Sequence, residues 1–184
     1  MIPFLVVQTF YWLALSTWWG GAFFVAIMAP VIFRTVRDEN PILPTVLSVN
    51  LENQHGSLLS GAIVGNILQT LSNIQFVCAG VILVMLIGHW FVMQIGGINT
   101  WLGVLRSTVF VAAVGLAAYD RFVVWPKTWK FRQEYIDHAD EPEIANPAKD
   151  NFDRYHRESL TVLFGILGLL SLMIVFSAVI EPSW

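Results

Sequence analysis

The sequence predicts an all-α fold: an integral membrane four-helix bundle with an extra amphipathic or partly inserted helix before the second span. Three observations predict it. Only 12% of the 184 residues are charged while 56% are hydrophobic, and soluble domains carry about 25% charged residues. Residues 3–33, 56–105, 107–119 and 159–180 contain no Asp, Glu, Lys or Arg, and a hydrocarbon core of ~30 Å needs ~20 apolar helical residues. Those runs also lack the polar outer face that a soluble bundle requires.

The first span is expected at about 3–33. At 1.5 Å per residue this is ~45 Å, so it must tilt, kink or protrude, and Pro30 supplies a reason to bend. Trp12, Trp18 and Trp19 lie within it, and Gly20 and Gly21 beside them allow another helix close. The amino end shows no cleavable signal peptide, having no basic n-region and too long an apolar run.

Residues 34–71 are read as the first charged loop region. Arg34, Arg37, Asp38 and Glu39 make it polar, and Pro41 and Pro44 oppose a helix. A lead-in helix is expected over 56–71. Ser57, Gly61 and Gly65 form a small-residue ridge, and Asn66, Gln69, Thr70 and Asn73 share one face. Lipid penalises such a polar stripe, so it is expected to face protein or water.

The second span is expected at 72–94, followed by a tight turn at Gly96, Gly97 and Asn99. The third runs 100–124 and ends before "WPKTW". Residues 125–157 form the second charged loop, with Pro142 and Pro147 breaking "HADEPEIANPAKD" into irregular chain. The fourth span, 158–180, ends at Glu181 and Pro182. The whole chain, 1–184, reads as a single membrane domain.

Eight of the ten Lys and Arg residues fall in the two charged loops, and a ninth, Arg121, lies at the adjoining end of the third span. The positive-inside rule then makes both loops cytoplasmic and puts both termini outside. Trp125 and Trp129 fit a cytoplasmic aromatic belt and Trp101 an outer one. The bilayer is the expected partner, with protein partners in the membrane or a homo-oligomer suggested by the Gly/Ser ridges. Basic residues are offset by acids, so nucleic acid is not an expected partner.

Three constellations could carry chemistry. Arg106 and His89 lie at similar depth on either side of the short outer turn. They could hold a cofactor, His89 as ligand and Arg106 on a propionate or another anion; alternatively, His89 is a packed histidine and Arg106 snorkels to headgroups. At the cytoplasmic mouth, Asp120, His156 and Ser159 form a polar cluster with the Asn66–Asn73 stripe. His156 and Ser159 are expected to hydrogen-bond inward, to that stripe or to the end of span 3. The plainer alternative is that Asp153 caps the last helix, Glu158 sits in its early turns, and Arg154 and Arg157 bind lipid phosphates. No metal site is expected. Cys78 is the only cysteine, no metal-binding or nucleotide-binding motif occurs, and Met28, Met85, Met93 and Met173 are scattered.

Three stretches together resemble one family. These are "WWGGAFFVAIMAPVIFR" at 18–34, "YDRFVVWPKTWKFR" at 119–132 and "FDRYHRESL" at 152–160. They are similar to the signatures of the transmembrane protein 205 family and its bacterial four-helix relatives, and the likeness spans nearly the whole chain. It implies a four-helix integral membrane protein without implying an established reaction; one member is associated with drug resistance. A wider likeness reaches the CopD copper-resistance proteins and the haem-dependent protoporphyrinogen oxidase HemJ. There a histidine stands seven residues before the first Trp of the motif; here that position is Tyr11. Where relatives carry Asn seven residues after the last-helix histidine, this chain has Leu163.

The reading that follows is a non-enzymatic integral membrane protein, either a small transport or resistance-type protein or an accessory subunit of a larger membrane complex. The alternative is a haem- or porphyrin-binding redox protein with His89 as ligand, and a further one is copper handling.

Overall fold

Hydrocarbon offers no hydrogen bonds, so a chain crossing it must satisfy its backbone internally. The described chain does so by being helical almost throughout. The computed structural model describes residues 2–39, 51, 54–96 and 100–180. Its helices are α1 (Ile2–Asp38), α2 (His55–Gly96), α3 (Thr100–Tyr119), α4 (Trp125–Asp137) and α5 (Pro142–Ile180), with a π-helical segment, Asp120–Val124, joining α3 to α4. Four continuous helical stretches are long and apolar enough to cross a membrane: Leu5–Asp38, His55–Phe91, Trp101–Asp137 and Pro142–Val179. The protein is an integral membrane four-helix bundle. The shortest stretch has 34 residues, and at 1.5 Å per residue it exceeds the hydrocarbon core by ~20 Å, so each helix tilts or extends beyond it.

The helices therefore run well past the expected spans. The lead-in over 56–71 is helical, as expected, and continues without a break into the second span. Two expected breaks are corrected. The helix of the third span does not end before "WPKTW". Pro126 has no N–H to give Phe122 O, and its ring would crowd that carbonyl. The helix answers by widening: Trp125 N–H bonds to Asp120 O, five residues back, and α4 follows. Pro142 and Pro147 do not break the chain. Pro142 is the first residue of α5, where its missing N–H costs nothing, and Ala145 N–H already bonds to Glu141 O. Pro147 is carried inside α5. The irregular chain between α4 and α5 is confined to residues 138–141, where His138 Nδ1 lies 3.3 Å from Glu141 Oε1. The expected breaks at Pro41 and Pro44, the turn at Gly97–Asn99 and the end at Glu181–Pro182 lie outside the described residues.

The chain packs as two compact units, and each long helix contributes to both. Unit 1 contains residues 1–23, 71–117 and 163–184; unit 2 contains 24–70 and 118–162. In unit 1 the inward faces repeat every three or four residues, as helix geometry requires. They present Tyr11, Leu15, Trp18 and Ala22 from α1, Cys78, Ile82, Leu86 and His89 from α2, Arg106, Phe110, Ala113 and Ala117 from α3, and Ile166, Leu170, Met173 and Ser177 from α5. The outward faces are apolar too: Leu13, Val77, Val111 and Phe164 are each more than half exposed, which is ordinary for a surface in contact with lipid. In unit 2 the buried apolar side chains are smaller and fewer, among them Val25, Val64, Val124, Ala145, Ala148 and Val162.

Of the glycine pair beside Trp19, Gly21 is the one at a close approach, where an added Cβ would stand 2.9 Å from Leu71 Cδ1, whereas Gly20 faces open space. Gly56 is more demanding. A Cβ there would lie 3.0 Å from Arg37 Cα and 3.2 Å from Val36 O, both backbone. Gly56→Ala should therefore force α1 and α2 apart in unit 2 and destabilise the protein by about 1–3 kcal/mol. Gly115→Ala, which meets nothing within 4 Å, should change stability by less than about 1 kcal/mol, in the stabilising direction. Unfolding in mixed SDS micelles measures both.

Candidate functional site

Hydroxyl groups divide into two kinds. Thr9, Ser16, Ser60, Thr70, Ser107, Thr108, Thr128, Thr161 and Ser171 each donate to the carbonyl four residues back on their own helix. That satisfies their hydrogens locally, and of these only Ser171 is also described accepting from another helix, from the Trp19 indole. Ser177 and Ser159 instead bond through their own hydroxyls to a different helical segment, and each marks a polar cluster.

Ser177 belongs to unit 1. Its Oγ is 2.6 Å from the Tyr11 hydroxyl, both side chains fully enclosed. Tyr11 also carries the Arg106 guanidinium over its ring at 5.3 Å and meets the His89 ring edge-on at 5.7 Å. Arg106 is 4% exposed and His89 5%. The two residues expected at similar depth are thus brought onto one tyrosine from α2 and α3. Snorkelling is overturned for Arg106, because its side chain is buried on an aromatic face instead of reaching outward. Nearby, the Trp19 indole donates to Ser171 Oγ at 2.9 Å. Tyr11 is the hub of this packing. The Tyr11 ring occupies space against both His89 and Arg106, so a porphyrin lying between them would have to displace it.

Ser159 belongs to unit 2. Its hydroxyl donates to Asp120 Oδ1 at 2.9 Å, joining α5 to the π-helical segment. The widened turn presents Asp120 at its first position, and π turns recur at functional sites. One residue back along each chain, the Tyr119 hydroxyl donates to Glu158. Tyr155 stacks on Phe131 at 5.7 Å, with Lys127 above its ring at 5.2 Å. The stretch "FDRYHRESL" is therefore mid-helix rather than a helix start. Asp153 is no cap, since α5 begins eleven residues earlier at Pro142.

Asn66 and Asn73 do not join this cluster. Both are exposed, as are Gln69 and Thr70. The inward face of α2 is set by Ser60, Val64, Leu71, Gln75 and Cys78, and at about 100° per residue the Asn stripe falls roughly half a turn away. Gln75, one buried polar residue of α2, was not singled out from sequence.

His156 faces elsewhere in unit 2. It stacks on Phe152 at 5.8 Å and lines a cavity of about 280 Å³. One wall is the Ser57–Gly61–Gly65 ridge of α2; the other is the α4 face made by Trp125, Thr128, Trp129 and Arg132. The ridge is thus one side of a cavity, and at Gly65 it comes close to α4: a Cβ there would touch Trp125 at 3.4 Å. Arg132 spans the gap, donating to Leu58 O at 2.8 Å while lying over the Trp129 ring at 5.3 Å. The Tyr135 hydroxyl donates to Gln54 Oε1 at 2.6 Å, and Lys149 lies 5.9 Å from the Tyr135 ring. Trp125, Trp129, Arg132, Tyr135 and Lys149 were missed as site residues because they fall in the segment expected to be loop. Their signal was present: 125, 128, 129 and 132 have the spacing of one helical face.

Among the described residues no three His, Cys, Asp or Glu side chains converge to hold a metal. No family model, curated protein or solved structure matches the chain.

Tyr11→Phe removes the hydroxyl that bonds the buried Ser177, and Ser159→Ala removes the one that bonds Asp120. Each should cost about 0.6–1.7 kcal/mol, the range of side-chain hydrogen bonds between membrane helices. Tyr11→Ala should cost about 3–5 kcal/mol, because it also opens a cavity. Unfolding in SDS distinguishes the two sizes of effect.

Proposed function

We propose that this chain is a non-enzymatic integral membrane protein that binds a small molecule, of a transport or resistance type. The observation that carries the reading is the aromatic-walled cavity of unit 2, about 280 Å³. Its size and lining, apolar and aromatic with a few placed polar groups, suit a small ligand. The accessory-subunit form of the reading differs only in what the chain associates with.

Charge supports an orientation. Nine of the ten basic residues and twelve of the thirteen acidic ones lie in unit 2. We place those helix ends in the cytoplasm and the termini outside, by the positive-inside rule. A cysteine-reactive, membrane-impermeant label on Ser57→Cys and on Lys149→Cys in intact cells should fail to react until the membrane is opened.

The decisive experiment is native mass spectrometry of gently purified protein. Wild type should carry a ligand-sized adduct that Gly65→Leu, whose side chain would crowd Trp125 and Trp129 in the cavity wall, has lost. A stoichiometric protein companion would instead select the accessory-subunit form; a bare monomer in both variants would defeat the reading. Haem binding comes second, because Tyr11 packs directly on His89 and Arg106. A Soret band that disappears in His89→Ala would reverse that order.

A further inference from the structure

The charges around the cavity are one-sided. Arg132 and Lys149 line it with a single carboxylate, Asp153, while His156 adds no fixed charge when neutral. Phe33 and Ser57 also line a neighbouring open groove of about 410 Å³, together with Arg34 and Arg37. The two spaces share a wall and hold four cations against one carboxylate. None of these four is paired: among the described residues the one ion pair within 4.0 Å is His138–Glu141. Arg132 is half-buried, and the partners described for it are a carbonyl oxygen and an indole face. Both are weak substitutes for an anion, and the guanidinium retains further N–H donors in a fork suited to an oxyanion.

The remaining walls are apolar. Val64, Gly65, Leu68, Trp125, Trp129 and Phe152 offer a surface for a hydrocarbon body. An external cation would meet aromatic rings already occupied by the protein's own cations, with Arg132 over Trp129 and Lys149 beside Tyr135. Like-charge repulsion would add to that obstacle.

We propose that unit 2 binds a lipophilic oxyanion, with its acyl body against the apolar and aromatic lining of the cavity and its head on Arg132, the groove with Arg34 and Arg37 serving as the approach. This inference rests on the small-molecule reading above and adds the charge and shape of the ligand. The head could belong to a free acyl carboxylate or to the phosphate of an anionic bilayer lipid.

Tryptophan quenching in phosphatidylcholine nanodiscs tests it, because Trp125 and Trp129 form the wall. The probes are a brominated C18 fatty acid against its methyl ester, and brominated phosphatidylglycerol against brominated phosphatidylcholine. At least one anion should quench saturably, at a concentration at least ~10-fold below its uncharged or zwitterionic counterpart, and which one does so identifies the source. Arg132→Gln should erase most of that advantage, and Arg132→Lys should keep part of it. Gly65→Leu should remove the saturable phase for every probe, and circular dichroism shows whether each variant is folded. Equal saturable quenching by anion and counterpart, lost in Gly65→Leu, would overturn the anion selectivity and leave the cavity reading standing. Quenching that is linear for every probe and unchanged in Gly65→Leu would overturn both.

Discussion

The backbone hydrogen bond inside a helix is the interaction on which the rest of this protein depends. In hydrocarbon an unsatisfied N–H or C=O costs several kcal/mol, so the chain forms helices wherever it is apolar and keeps them going where it is not. The same constraint governs the exceptions. At Pro126 the helix does not break; it widens, and Trp125 N–H finds Asp120 O one residue further back than usual. At Pro142 the missing donor falls at the first helical position, where no partner was due. Serine and threonine hydroxyls mostly return to their own helix, four residues back, which leaves few polar groups free to tie helices together.

Those few are consequently where specificity concentrates. In unit 1, Tyr11 gathers Ser177, His89 and Arg106 from the three other helices. A cation buried on an aromatic face, beside a tyrosine held by its hydroxyl, sets the register of four otherwise similar apolar surfaces. In unit 2 the Asp120–Ser159 bond does the same between the widened turn and α5. The packing there is looser. Glycines of α2 and tryptophans of α4 come close to one another and line a cavity where the other unit has a core. Charge and cavity occur in the same unit, whereas the described part of the other unit has one basic side chain, Arg106, and is closely packed.

Much of this was legible in order along the chain. Uncharged runs mark the four membrane helices, since each must hide ~20 residues from water. The last-helix motif pointed to His156 and Ser159, and the end of the third span to Asp120. The stripe of Asn66 and Asn73 pointed the wrong way: a polar face can be read from spacing, but whether it turns inward depends on the phase of the whole helix, and Val64, Leu71 and Gln75 set that phase. The cavity wall was hidden for a different reason. Prolines and charges made 125–157 look like loop, although Trp125, Trp129 and Arg132 already had helical spacing.

By itself, the sequence determined that the protein is helical, that it lies in a membrane and which ends of its helices carry charge, because these follow from local composition and the absence of water in lipid. Only the tertiary structure decided what the helices do to one another. It turned Arg106 from a headgroup contact into a buried partner of Tyr11, moved Asn66 and Asn73 to the surface, and made Gly61 and Gly65 one wall of a cavity. The reason is physical: burial, partner choice and cavity shape depend on the relative rotation of helices, and every apolar face of a membrane helix is locally as acceptable to lipid as to another helix.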